Sequence, residues 1–167
     1  MATKRSTAQR KNGSSNGKGR SQRSTDAVAL LTADHQNVKA MFDRFERSRQ
    51  DTLKRELAKR ICDELTVHAT VEEEIFYPEL REALDADDLL NEATVEHASA
   101  KDLIAQIRDL DPQDELFEAK VTVLGEYVKH HVKEEQSEMF PKARKSGVDL
   151  KDLGARISAR KQQLGAR

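Results

Sequence analysis

The 167-residue chain has no Trp, one Cys, three Pro and seven Gly, and its aromatics amount to 4% of the residues. With Cys62 alone, no intrachain disulfide can form, and the reading that follows is a reducing compartment with an inert, half-buried thiol on a helix. Few breakers, few aromatics and 35% charged residues argue against a sheet protein and for an all-α one. No apolar run is long enough to span a bilayer, and the N-terminal segment has no apolar core to act as a signal peptide. These absences predict a cytoplasmic protein with no membrane contact.

The formal net charge of −1 hides a segregation: residues 1–25 hold seven Lys/Arg and no acid, whereas the remainder holds 22 Lys/Arg against 30 Asp/Glu. Residues 1–24 have almost nothing apolar to bury and cannot offset their ordering entropy, so a disordered basic tail is expected. Its cations suit weak, non-specific contact with nucleic acid by counterion release, and it has no aromatic to stack on bases.

What is present is a repeated helical signal. The run H-A-T-V-E-E-E-I-F-Y-P from His68 to Pro78 returns 63 residues later as H-V-K-E-E-Q-S-E-M-F-P from His131 to Pro141. Each copy places a Glu four after its His, on the same helix face, an aromatic nine after it and a Pro ten after it. His35 precedes His68 by 33 residues and His97 precedes His131 by 34. One helical hairpin, used twice, would supply a lone His and a His-Glu pair each time.

The apolar stripes place these residues on buried seams. The first helix, about 26–48 with Ser24 or Thr25 as N-cap, carries Leu31, His35, Val38, Phe42 and Phe45. The second starts from Asp51 and carries Leu57, Ile61, Leu65, His68, Glu72 and Ile75, with Pro78 closing it. Asp87 or Asp88 caps the third, whose stripe is Leu90, Ala93, His97, Ala100, Ile104 and Ile107. Asp111-Pro112 opens the fourth, where Phe117, Val121, Leu124, Val128, His131 and Glu135 keep one face to Pro141. A shorter amphipathic helix, 149–164, follows on Leu150, Leu153, Ile157 and Leu164. The expected architecture is an up-down-up-down four-helix bundle over residues 25–145, with a C-terminal helix in 146–167 and the tail in 1–24.

Buried carboxylates need a partner or a cation. Four imidazoles and two carboxylates, from His35, His68, Glu72, His97, His131 and Glu135, exceed the four ligands of a structural zinc and are too rich in nitrogen for calcium or magnesium. Two carboxylates able to bridge, with histidines on each side, suit a pair of iron or manganese ions with an oxide or hydroxide bridge. His130 and Glu134 repeat the same four-residue spacing one position earlier. The pair His131/Glu135 is preferred because it continues the apolar stripe and matches His68/Glu72 in its distance from the proline.

This ordered set, His35 in A-D-H-Q-N-V-K-A-M-F, His68 and Glu72, His97 in E-H-A-S-A-K-D-L-I, and His131 and Glu135, resembles the hemerythrin-like family of HHE cation-binding domains over about residues 26–145. The resemblance implies a non-haem centre of two iron ions, with manganese or zinc as other occupants, and ligand chemistry of oxygen, nitric oxide or peroxide. Ferritin-like bundles use Glu-x-x-His with lone glutamates instead. Oxygen-carrying hemerythrins have a second His four after that of the third helix, where this chain has Lys101. The leading expectation is a protein that binds or senses oxygen, nitric oxide or iron. A peroxide-decomposing or oxidase-type enzyme, and a metal-stabilised bundle with a nucleic-acid-binding tail, are the alternatives. No Tyr falls on the predicted ligand stripes of the first three helices, so the enzyme reading rests on the metal alone.

Overall fold

The structure is a computed structural model that describes residues 25–165. The tail predicted for 1–24, with the Ser24 cap, lies outside the described residues. Among the described residues there are seven α-helices, α1 (Ala27–Arg47), α2 (Asp51–Val71), α3 (Tyr77–Ala83), α4 (Asp87–Asp109), α5 (Phe117–Glu134), α6 (Phe140–Lys145) and α7 (Leu150–Gln163). Single π-helical turns, Glu72–Phe76 and Glu135–Met139, splice α2 to α3 and α5 to α6. The result is all-α: α1, α2–α3, α4 and α5–α6 form the antiparallel bundle, each packed on its neighbours in sequence, with α5 returning to α1.

The predicted stripes of the four bundle helices are the inner faces: all but Ala100 and Val128, which are half-buried, are fully buried. The helix starts differ from expectation. Asp26 itself is the N-cap of α1, its carboxylate accepting from the Ala29 amide at 2.8 Å. Asp51, Asp87 and Asp88 lie inside the first turns of α2 and α4, where acids favour the positive end of the helix dipole without capping it. Asp111-Pro112 opens two successive turns rather than a helix: Asp111 takes the Gln113 amide, Asp114 takes that of Leu116, and α5 begins only at Phe117.

Neither Pro78 nor Pro141 ends its rod. In each splice the amide five residues on, Tyr77 or Phe140, bonds back to the carbonyl of Glu72 or Glu135. The helix then restarts, and the proline falls in its first turn, where a missing N–H costs nothing. The extra residue also turns the next stretch so that Phe76, Tyr77 and Leu80 face inward.

The core is in two parts. One apolar cluster, around Leu31, Phe76, Leu80, Met139 and Phe140, includes Leu153 and Ile157 of α7. The other, around Phe42, Ile61, Leu65, Ile104 and Leu124, fills the opposite end. Gly154 lets α7 cross closely over the start of α1, since a Cβ there would meet the Thr25 carbonyl oxygen at 2.2 Å. Of the predicted stripe of α7, Leu150 is half-buried and Leu164 is exposed. Between the two clusters lies a polar layer of His35, His68, Glu72, His97, His131 and Glu135, each of them buried.

Candidate metal centre

The 3.6-residue repeat sends one His from each of α1, α2, α4 and α5 to the same level of the bundle, and the carboxylates of Glu72 and Glu135 stand one turn further along their rods. The structure thus brings all six predicted residues together. His35, His68, Glu72 and Glu135 offer donor atoms to one point, and Glu72, His97 and His131 to a second, with Glu72 common to both. The Nε2 atoms of His35 and His68 are 3.0 Å apart, and those of His97 and His131 are 3.1 Å apart. Glu72 Oε2 lies 3.2 Å from His68 and 3.4 Å from His97, while Glu135 Oε2 lies 3.2 Å from His35 and 3.5 Å from His131. Each carboxylate therefore spans one imidazole of either pair.

The chemistry of this layer is unbalanced as a purely structural core. Glu72 and Glu135 are 0% and 1% exposed, and Glu72 Oε1 and Glu135 Oε2 have no hydrogen-bond partner. Orphaned carboxylate oxygens at such depth are costly, and a cation is what removes that cost. Burial, and next the charge of Glu135, push Glu72 well above the usual carboxylate range. Burial acts on Glu135 too, but the imidazole of His35, 3.2 Å away, and the other neighbouring imidazoles hold it down at about 2.

The outward nitrogens explain why four imidazoles face inward. Nδ1 of His68 meets Asp34 at 3.1 Å, that of His97 meets Glu73 at 3.0 Å, and that of His131 meets Glu96 at 2.8 Å. A carboxylate on Nδ1 fixes its proton there and leaves the Nε2 lone pair for a metal. Nδ1 of His35 meets the Gln136 amide at 3.2 Å. Lysines back two of these carboxylates: Lys161 of α7 pairs with Asp34, and Lys101 sits 2.7 Å from Glu73. Lys101, at the position of the missing histidine, thus turns away from the centre to hold the partner of His97. Glu73, off the predicted apolar stripe, belongs to the site.

Sequence reasoning missed Tyr77. Its hydroxyl donates to Glu135 Oε1 at 2.9 Å and lies 3.4 Å from His97 Nε2, and its ring stacks on His97 at 5.5 Å. The signal was the aromatic nine residues after each paired histidine. Phe140, its counterpart, stacks on His35 with rings 5.7 Å apart. The repeat therefore covers each lone histidine with an aromatic, and only one of the two bears a hydroxyl.

Burial, reinforced by the charge of His131, lowers His97 to about 4, and burial lowers His68 as well. Imidazoles that fold neutral cost stability once the unfolded chain takes up protons. The histidines' contribution to the stability of the metal-free protein should therefore fall as pH drops from about 6.5 toward about 4, which melting curves of a Glu72→Leu chain, free of the opposing carboxyl, will show.

Comparison with known proteins agrees with this geometry. The sequence matches the family described as Hemerythrin HHE cation binding domain over residues 26–143. A solved structure of a Hemerythrin HHE cation binding domain-containing protein from Mycobacterium kansasii has the same fold, with a TM-score of 0.71 and 21% identity, covering 84% of this chain and 87% of that one. A DNA nickase from Nostoc sp. is 31% identical over 111 residues, a stretch that takes in 66% of this chain but only 31% of the nickase. Among the described residues no helix is long and apolar enough to cross a membrane. With residues 26–143 matched from end to end and four histidines and two glutamates converging in the core of the bundle, the chain belongs to the hemerythrin HHE cation-binding domain family.

Proposed function

We propose that the chain holds two iron ions among His35, His68, Glu72, His97, His131 and Glu135, and uses them to bind or sense oxygen, nitric oxide or a related small molecule. The observation that carries this reading is the pair of buried, partnerless carboxylate oxygens facing four inward imidazole nitrogens. Such a mixed donor set suits iron or manganese better than a lone structural zinc. Bound iron would supply open coordination positions and reversible redox chemistry.

The chain's own residues set what can reach that centre. Below the four imidazoles lies a cavity of about 40 Å³, walled mainly by Val38, Leu65, Ala100, Ile104 and Val128. Its size and apolar walls admit a two- or three-atom ligand and disfavour larger or strongly hydrated ones. On the opposite side, Tyr77 holds a proton on its hydroxyl, which burial and then the two glutamates push well above the ordinary phenol range. That hydroxyl orients Glu135 and is placed to donate beside His97.

Nicking is not carried over, since most of the Nostoc protein has no counterpart in the aligned stretch. Metal analysis with absorption spectra tests the reading. About two irons per chain, with a near-ultraviolet band that shifts on adding azide, are expected. Stoichiometric single zinc, silent to azide, oxygen and reductant, would overturn it. Sustained turnover of peroxide would move the assignment from binding protein to enzyme.

A further inference from the structure

His130 and Glu134, the pair that the buried centre leaves unused, have a third companion. Glu96 reaches across from α4, with Oε1 3.5 Å from His130 Nε2, and Glu134 Oε1 is 3.3 Å from the same nitrogen. The donor atoms of all three lie within 4.8 Å of one another. Two ligands at about 2.1 Å from a tetrahedral ion sit roughly 3.4 Å apart, so the two separations to His130 match the edges of a coordination tetrahedron. They are long for hydrogen bonds.

The outer carboxylates give a second, independent argument. Asp34, Glu73 and Glu96 do one job, each taking Nδ1 of a buried histidine. Asp34 and Glu73 are balanced by Lys161 and Lys101. Among the described residues, Glu96 and Glu134 have no lysine or arginine partner and meet only histidines. Where the other two carboxylates face an ammonium, Glu96 faces an imidazole and a second carboxylate. Two carboxylates and an imidazole nitrogen suit a divalent cation, and the nitrogen selects a transition ion over calcium or magnesium.

We propose that Glu96, His130 and Glu134 form a surface site for a divalent transition-metal ion, separate from the buried centre. Two helices supply its donors, and solvent completes the coordination, since His130 is 62% exposed. Glu96 also lines the cavity beneath the buried imidazoles, together with the half-exposed Tyr127. The site therefore stands at the rim of that cavity.

Cobalt(II), titrated into the full-length protein as purified and followed by calorimetry and visible absorption, tests the site. The wild type should take up one cobalt per chain that His130→Ala and Glu134→Gln do not, while all three keep the same iron content. Equal cobalt uptake by the three chains would overturn the proposal. Loss of the cobalt site in both variants, with negligible iron in every chain, would count against the buried centre instead and leave the surface site standing.

Discussion

Glu72→Leu is expected to empty the buried centre of metal and to make the metal-free chain more stable than the metal-free wild type. Glu72 is the residue common to both converging donor groups, so its loss removes a ligand from each. Without a cation its carboxyl is fully buried, with Oε1 unpartnered and Glu135 beside it. A buried acceptor left without a partner costs about 1–3 kcal/mol, and an apolar side chain of similar volume removes that cost. Glu135 keeps its stronger bond to Tyr77, at 2.9 Å, in the variant. The sign with pH is fixed too. A carboxyl whose folded pKa lies above its unfolded value costs more stability as pH rises, so the variant's advantage should be larger near pH 8 than near pH 5. Wild-type protein saturated with metal should reverse the order, since binding at about a thousandfold over Kd contributes about 4 kcal/mol. Melting curves of chelated and metal-loaded samples read all of this. A metal-free variant that melts below the metal-free wild type would mean that Glu72 serves the fold and not a cation.

The same tension shows why much of the site could be read from the sequence. Carboxylates and imidazoles placed on apolar stripes violate the pattern that builds a helix bundle, and that violation is visible without coordinates. Leu31, Val38 and Phe42 mark the buried seam of α1, and His35 falls in it by spacing alone. The second layer was not legible in that way. Asp34, Glu73 and Glu96 each adjoin a stripe residue in the chain, and adjacency says nothing of which neighbouring helix a side chain will meet. His97 bonds Glu73 of the π turn after α2, and His131 bonds Glu96 of α4. These are tertiary pairings of buried histidines with half-buried carboxylates, for which hydrophobic period carries no signal.

Tyr77 was hidden for a different reason. A stripe extended past Glu72 at 3.6 residues per turn, and stopped at Pro78, leaves Tyr77 outside the site. The π turn adds a residue, changes the phase and carries the rod through the proline. Both π turns begin at a site glutamate, Glu72 and Glu135. The irregularity thus belongs to the repeat itself, and the aromatic-Pro ending that looked like a stop signal is the place where the helix restarts. Nothing in local propensity distinguishes a proline that ends a helix from one that opens the next segment of the same rod.

In the proposed di-iron centre, His131→Ala should abolish iron binding at one of the two positions and weaken the other, whereas His130→Ala should leave the expected iron content and near-ultraviolet band unchanged. The two residues are adjacent, and a helix turns by about 100° between them, so they cannot both face the core. His131 is buried, with Nε2 at 3.1 Å from that of His97 and Nδ1 on Glu96. His130 lies outside, and its contacts are Glu96 and Glu134. Removing His131 takes away a nitrogen donor and leaves Glu135 Oε2 without the imidazole it faces at 3.5 Å. It also frees Glu96 from its inner partner, so the damage extends beyond one ligand. Loss of a metal ligand, with disturbance of its outer partner, commonly costs well over tenfold in affinity. Iron content after dialysis should then fall clearly below that of the wild type, and external imidazole, which can enter the vacated space, should restore part of it. Iron lost from His130→Ala and retained by His131→Ala would place the register of α5 one residue away from that of the structure.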